Sequence, residues 1–322
     1  MRRSLVSLAE LIRQTERRLR GACLHYGHGT DNAHDEAAFL VLRGLGLPFD
    51  TDLERAVDAS RVEGLVRKRI ETRSPAAYLL KEAWLAGLQF HVDRRVIVPR
   101  SHIAELLAGR LTPWLQQPVR SVLDLCTGSG CLAILAARAF PRAQVDASDL
   151  SAPALAVARK NVRQHRLEKK VRLIRSDLFS SLKGECYDVI LCNPPYVTSA
   201  SMRRLPAEYR HEPGIALAAG RNGLDMVSRI LAEAPAHLAK DGLLICEIGD
   251  GRKTVERAFP ELPFVWAKDE VFILDRTSMA AASGTQPTPR PARRRAGVRA
   301  ARATVAAGSR SPGAAFAPPR RR

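Results

Sequence analysis

The spacing of apolar positions changes character along the chain. Leu5, Leu8, Leu11, Ile12, Thr15 and Leu19 recur at threes and fours, which predicts an amphipathic helix ending near Gly21. After the turn-rich Tyr26-Gly27-His28-Gly29-Thr30-Asp31-Asn32, Asn32 is placed to cap a second helix over about 33–42, closed by Gly44, Gly46 and Pro48. Ser60-Arg61-Val62-Glu63 reads as a capping box, and Leu65, Val66 and Ile70 carry a third helix to a stop at Pro75. Residues 1–85 are therefore expected to form a small helical domain. Between Gln89 and Pro99 the runs become short and β-prone, 89–92 and 96–98 around Asp93-Arg94-Arg95, so a connecting hairpin is expected within 86–100.

Beyond Ser121 the two periods alternate. Strands are expected at 121–126, 144–148, 171–176, 187–192, 243–247, 264–267 and 271–274, with helices at 131–139, 152–165, 223–238 and 252–259. Alternation of this kind predicts an α/β domain over 101–276, a doubly wound and mostly parallel sheet covered by helices on both faces. Too few residues join the last two strands for a parallel crossover, so they should pair antiparallel. No internal repeat is visible.

Charge adds a further segment. The 322 residues carry a formal net charge of +18, and eleven arginines between Arg276 and Arg322, with no lysine or acid among them, supply +11 of it. The composition of this stretch, chiefly Ala, Arg, Pro, Gly and Ser, buries too little apolar surface to offset ordering entropy, so 277–322 is expected to be a disordered basic tail. Such a tail can attract RNA phosphates or serve only as a solvated extension. No apolar stretch approaches the length of a membrane span, and Ser7, Glu10 and Arg13 interrupt any secretory h-region after Arg2-Arg3. The six cysteines form no Cys-x-x-Cys pair and read as reduced, buried thiols of a cytoplasmic protein. With 5% aromatics, a stacking platform for many bases is not expected.

In an open α/β sheet, ligands sit beyond the carboxyl ends of the strands. There the first strand runs into Asp124-Leu125-Cys126-Thr127-Gly128-Ser129-Gly130. Gly128 and Gly130 lack the Cβ atoms that would hold a ligand off the backbone, and the following helix adds its positive end. Asp149 closes the next strand, where a carboxylate can accept both hydroxyl protons of a ribose. Gly128 to Ala133 also fits the dinucleotide pattern G-x-G-x-x-G/A, but an Asp124 carboxylate at the loop mouth would repel a pyrophosphate and attract an ammonium or sulfonium. S-adenosylmethionine carries both cations.

The fourth strand runs into Asn193-Pro194-Pro195-Tyr196. Two prolines fix the backbone, so the Asn193 side-chain oxygen and the Pro194 carbonyl form a rigid pair of acceptors for one planar –NH2 group. An amide or aniline nitrogen is a poor nucleophile because its lone pair is delocalised. Acceptors aimed at its hydrogens strengthen as positive charge develops on nitrogen, and that difference lowers the barrier to methylation. Nothing in this chemistry needs a strong base, only in-line positioning. His25, His28 and His34 with Asp31 and Asp35 match no standard zinc spacing, and no metal is expected.

Asp124 to Gly130, Asp149, Ser176-Asp177-Leu178-Phe179 and Asn193-Pro194-Pro195-Tyr196 together resemble the glutamine-N(5) methyltransferases that modify translation proteins, over about residues 5–275. Tyr26 to Asn32, Val98-Pro99-Arg100-Ser101, Cys126 and Tyr209-Arg210-His211-Glu212-Pro213 resemble the branch acting on large-subunit ribosomal protein L-three more than the release-factor branch. The resemblance implies a Rossmann-like class I methyltransferase fold with an N-terminal helical substrate-recognition domain and S-adenosylmethionine as cofactor. It implies a cofactor site of Asp124, Thr127, Gly128, Gly130, Asp149, Leu150, Asp177, Leu178 and Asn193, with Asp149 on the ribose and Asp177 near the adenine. It implies a catalytic group of Asn193, Pro194, Pro195 and Tyr196, with Tyr196 walling the substrate slot, and a partner in ribosomal protein L-three or a large-subunit assembly intermediate. The turn from Trp266 to Val271 is shorter than the family's usual glycine-containing loop.

Two rivals stand beside this reading. Adenine-N(6) methyltransferases of nucleic acid share the Asn-Pro-Pro-Tyr motif, but 1–275 contains no obvious basic, aromatic-bearing insert for target recognition. A noncatalytic RNA-binding protein would use the tail alone and lose everything on deletion of 283–322. Arg210, His211 and Glu212 either meet the protein substrate or brace their loop, Arg100 reaches the cofactor or a helix end, and Glu247 lies near the site or caps a helix.

Overall fold

The computed structural model describes residues 5–115 and 117–282. Its first part is helical: β1 (Leu5–Ser7), α1 (Leu8–Gly21), α2 (Ala33–Gly44), β2 (Ala56–Asp58), α3 (Ser60–Thr72) and α4 (Ala76–Leu80), with β1 and β2 paired antiparallel. Ser7 accepts a hydrogen bond from the Glu10 N–H and Asn32 one from the Asp35 N–H, so both helices start on side-chain caps. The predicted capping box at Ser60 does not form. Asp58 instead accepts from the Ser60 N–H and hydroxyl, and Glu63 forms a bidentate pair with Arg18. The third helix stops at Thr72, before the left-handed Arg73, and Pro75 opens α4 instead of closing α3.

The connecting hairpin lies earlier than the β-prone runs suggest. It is β3 (Ala83–Leu85) with β4 (Leu88–Phe90), turned through Ala86-Gly87, both with positive φ. Segment 91–100 is irregular because its polar groups bond elsewhere: Asp93 accepts from Arg95, the Val96 carbonyl from the Tyr78 hydroxyl, and the Val98 N–H donates to Glu212. This is a tertiary override of local propensity.

The rest is the expected α/β sheet: α5 (Ile103–Ala108), β5 (Ser121–Leu125), α6 (Cys131–Ala139), β6 (Gln144–Asp149), α7 (Ala152–Gln164), β7 (Val171–Arg175), β8 (Tyr187–Cys192), α8 (Ser199–Met202), α9 (Asp225–His237), β9 (Leu238–Glu247), α10 (Arg252–Ala258), β10 (Val265–Lys268), β11 (Val271–Asp275) and α11 (Arg276–Ala282). The strand order is β10-β11-β9-β8-β5-β6-β7, parallel except at β11 and β10. The short Trp266 to Val271 connection closes as an antiparallel hairpin with a bulge between Trp266 and Lys268. Strand β9 starts at Leu238, five residues before the expected start, where its pairing with β8 shifts register. Gly242 lies there, where a Cβ would come within 2.8 Å of the Tyr187 carbonyl. Helix α11 takes in residues 277–282 of the segment expected to be disordered, and its Met279 is buried in the core on that side of the sheet. Residues 283–322, where the remainder of that expectation falls, lie outside the described residues.

Apolar side chains of α5, α6 and α7 pack on one face of the sheet and those of α9, α10 and α11 on the other. The helical layer of residues 5–80 shares a third core with Ala154 and Val157 of α7, so it is seated against the sheet domain. No described helix is long and apolar enough to cross a membrane. The cysteine expectation is half right: all six are unbonded thiols, but Cys23 and Cys186 are exposed at loop positions and Cys126 is only partly buried.

Candidate active site

Strands β5, β6, β7, β8 and β9 end side by side, and the residues singled out in the sequence gather along that edge. The glycine loop is tied from beneath. The Thr127 N–H donates to the Ser148 carbonyl, the Gly130 N–H donates to the Thr127 carbonyl, and Asn161 of α7 donates to the Ser129 carbonyl while holding the His91 backbone by both its N–H and its carbonyl. Gly130 has φ +80°, and a Cβ there would sit 3.2 Å from the Ala158 Cβ, so this glycine lets loop and α7 touch. Gly128 has φ +55° and open space where its Cβ would be. That opening is where a ligand can reach backbone.

Asp124 is not at the mouth of the loop. It is 1% exposed and accepts from the Thr127 hydroxyl at 2.5 Å and the Ala133 N–H at 2.9 Å, leaving its Oδ1 buried and unpartnered. It braces the loop against the start of α6, and Thr127 is part of that brace. Burial pushes its carboxyl up to about 7, against the N–H and hydroxyl donors that favour the charged form. With the folded pKa above the unfolded one, its contribution to stability is complete below about pH 4 and is lost as pH rises through about 7. Melting temperature measured across that window should therefore fall less steeply in Asp124→Asn than in the parent; identical slopes would contradict the shift.

Asp149 ends β6 with its carboxylate turned toward the opening. Its two oxygens accept from the Gly128 N–H at 2.9 Å and the Ser151 N–H at 2.8 Å, leaving lone pairs for further donors. Burial raises its pKa, opposed by these backbone donors. Leu150 beside it is 48% exposed, an apolar face on a polar edge. The Asp149 carbonyl accepts from the Ser176 N–H, which brings Asp177 alongside, where Arg229 of α9 holds its carboxylate at 3.0 Å. The Leu178 side chain is buried in the core, and its carbonyl accepts from the Ser176 hydroxyl. An open glycine, a diol-accepting carboxylate and an exposed leucine fit a nucleoside such as that of S-adenosylmethionine. Asp149→Ala should raise the dissociation constant for that cofactor about 10- to 100-fold, the equivalent of about 1.5–3 kcal/mol for hydrogen bonds to a charged group, as read by calorimetry.

At the end of β8, Asn193-Pro194-Pro195-Tyr196 opens onto a slot of about 280 Å³ lined by Asn193, Pro194 and Tyr196 with Arg100, Tyr209 and Asp250. The Asn193 side chain makes no hydrogen bond to another described residue, so its amide is unspent. Tyr196 is fixed by close backbone approach on two sides. A Cβ on Gly249 would lie 2.7 Å from its ring, and one on Gly223 2.5 Å from its carbonyl oxygen. Burial and the nearby Glu247 push its phenol above the ordinary range. Glu247 itself accepts from the Ser101 hydroxyl and the His102 N–H at the start of α5, the capping role.

The slot is closed by three segments distant in sequence. Glu212 grips Arg100 with both oxygens at 2.6 and 2.7 Å and accepts from the Val98 N–H at 2.9 Å. Tyr209 lies under the Arg100 guanidinium and against the rings of His28 at 4.4 Å and His25 at 5.5 Å. His28 is 3% exposed, and burial lowers its pKa to about 4, so it is neutral where it faces Glu212. His211 meets the Thr72 carbonyl. Loops 25–32, 97–101 and 209–213, three of the segments that resemble the L-three branch, therefore pack together beside the slot.

A profile of the family described as Methyltransferase small domain matches residues 104–207. A Bordetella pertussis protein named ribosomal protein uL3 glutamine methyltransferase is 53% identical over 86% of this chain and 98% of its own length. This chain belongs to the ribosomal protein uL3 glutamine methyltransferases. Two further members, from Burkholderia pseudomallei and Neisseria meningitidis serogroup B, are 48% and 46% identical over 86% and 85% of the chain and 97% and 95% of their own lengths. In this uL3 glutamine methyltransferase family member, the sequence reading missed the support behind the wall. Arg69, 0% exposed, bonds Glu36 at 2.7 Å and the His25 carbonyl at 3.1 Å and lies 3.6 Å from Glu208. Glu208, also fully buried, accepts from the His25 N–H and pairs with Arg73. Arg69 sits in line with Val62 and Val66 on the buried side of α3, and that placement was the one available signal.

Proposed function

We propose that this chain transfers a methyl group from S-adenosylmethionine to the side-chain amide nitrogen of a glutamine in ribosomal protein uL3. The observation that carries the reading is the unspent Asn193 amide, which lines the slot together with Pro194 and Tyr196. Asn193 Oδ1 and the Pro194 carbonyl accept the two amide hydrogens, hold the –NH2 group in plane and favour charge on nitrogen as the methyl moves. When bound, the cofactor supplies an electrophilic methyl on a sulfonium. Tyr196 and Tyr209 flank the amide and limit water, and Asp149 fixes the nucleoside so that the methyl faces the slot.

The helical layer, assigned 1–85, joins the sheet domain 101–276 through 86–100 and packs His25 and His28 against the slot-lining Tyr209 with Arg69 behind them, which supports a role in reading the protein substrate. The arginine-rich stretch from Arg276 onward is assigned contact with ribosomal RNA on its charge, and the setting is the cytoplasm, where uL3 is made. The test is incubation of the purified chain with labelled S-adenosylmethionine and, separately, uL3, a release factor and plasmid DNA. Label on one uL3 glutamine is expected. Label on DNA alone would assign the slot to an adenine amine, and label on the release factor alone would move the chain to the other acceptor.

A further inference from the structure

The rim of the slot carries a charge imbalance that the reaction does not use. Between Ser199 and Leu224, the segment that contributes Leu205, Tyr209, Ala216 and Leu217 to the slot, there are four arginines and two glutamates. Both glutamates are buried and committed inward, Glu208 to Arg73 and the His25 N–H, Glu212 to Arg100 and the Val98 N–H. Arg203, Arg204, Arg210 and Arg221 are all exposed, and none forms an ion pair with a described residue. Arg203 and Arg204 directly precede Leu205, and Arg210 directly follows Tyr209. Arg221 lies two residues before Gly223, which packs on the Tyr196 backbone. Folding has therefore withdrawn the negative charge from this loop and left the positive charge beside the substrate entrance.

We propose that this rim is a docking surface for the phosphate backbone of RNA carried with the protein substrate, separate from the arginine-rich tail. The proposal rests on uL3 being the acceptor and on that ribosomal protein arriving with RNA bound. Unpaired guanidiniums pair with phosphates through charge-assisted, often bidentate hydrogen bonds, and release counterions in doing so. An acidic polypeptide is the competing occupant. It would use the same charges, and the two are separated by which polyanion loses binding when the rim is changed.

The test uses the full chain and a fluorescently labelled 20-nucleotide single-stranded RNA, with anisotropy titrations over a range of KCl concentrations and no methyl donor present. At about 0.7 per phosphate contact, R203Q/R204Q/R210Q/R221Q should lower the slope of log K against log salt by about 3, while the tail contributes equally to both proteins. The charge-preserving R203K/R204K/R210K/R221K should keep the parental slope. Four other exposed arginines, Arg142, Arg159, Arg163 and Arg166, provide the control, and their glutamine variants should leave the slope unchanged. An unaltered slope in the rim variant, or an equal loss in the control, overturns the proposal, as does rim-dependent binding of polyglutamate without rim-dependent binding of RNA. Because no methyl transfer is measured, failure here and failure of uL3 to accept a methyl group are separate results.

Discussion

Replacing Asn193 with alanine lowers the turnover number for glutamine methylation by about 100- to 1,000-fold, the loss typical of removing one oriented partner from a transition-state contact. The cofactor dissociation constant stays close to that of the parent. The expectation follows from the geometry at the edge of the sheet. Asp149, Gly128 and Leu150, proposed to hold the nucleoside, lie at the end of β6, whereas Asn193 lines the slot beyond β8. Pre-steady-state methyl transfer and calorimetry together read the two quantities. A calorimetric loss of cofactor binding in Asn193→Ala would contradict this division of labour, because it would make Asn193 part of the nucleoside cradle.

Glu212→Ala is expected to cost about 3–5 kcal/mol of unfolding free energy, the penalty for breaking a buried ion pair by removing one partner. The Glu212 side chain is fully buried and its loss leaves the Arg100 guanidinium without its carboxylate and the Val98 N–H without an acceptor. Glu63→Ala provides the comparison. It removes an ion pair of similar length with Arg18, but both side chains are about half exposed, and such pairs contribute about 0–1 kcal/mol. Urea unfolding of both variants checks the contrast. Equal effects would mean that the slot wall does not depend on Glu212. In residual folded Glu212→Ala, KM for the protein acceptor should rise more than that for the cofactor, since the wall faces the slot and not Asp149.

What could be read in advance followed from periodicity and from rigid chemistry. Strands β5 and β8 are buried on both faces and show as continuous apolar runs between turn residues, so the parallel sheet was legible along with the two loops at its carboxyl edge. Asn193 and Asp149 stood out because each stands at the end of a strand at that edge, and the structure places both there. Long-range polar contacts were not legible. Val96-Ile97-Val98 has the composition of a strand, yet its backbone is claimed by Tyr78 and Glu212, residues far from it in sequence. Asp124 looked like a ligand-facing carboxylate because sequence cannot distinguish an oxygen turned toward solvent from one turned back onto Thr127 and Ala133. Arg69 reads as one more charge on a basic helix until Glu36, His25 and Glu208 are seen around it.

The separation of those partners has a consequence for synthesis. The contact of Glu208 with the His25 backbone spans 183 residues, that of His211 with Thr72 spans 139, and that of Glu212 with Arg100 spans 112. A chain leaving the ribosome exposes its helical layer long before the carboxylates that complete it have been polymerised, and contacts of such span are late to form. Nascent or prematurely terminated chains ending before this stretch therefore lack an acceptor channel, even where the glycine loop and Asp149 are already in place. The slot is completed later still, when Asp250 joins its lining and Gly249 packs on the Tyr196 ring.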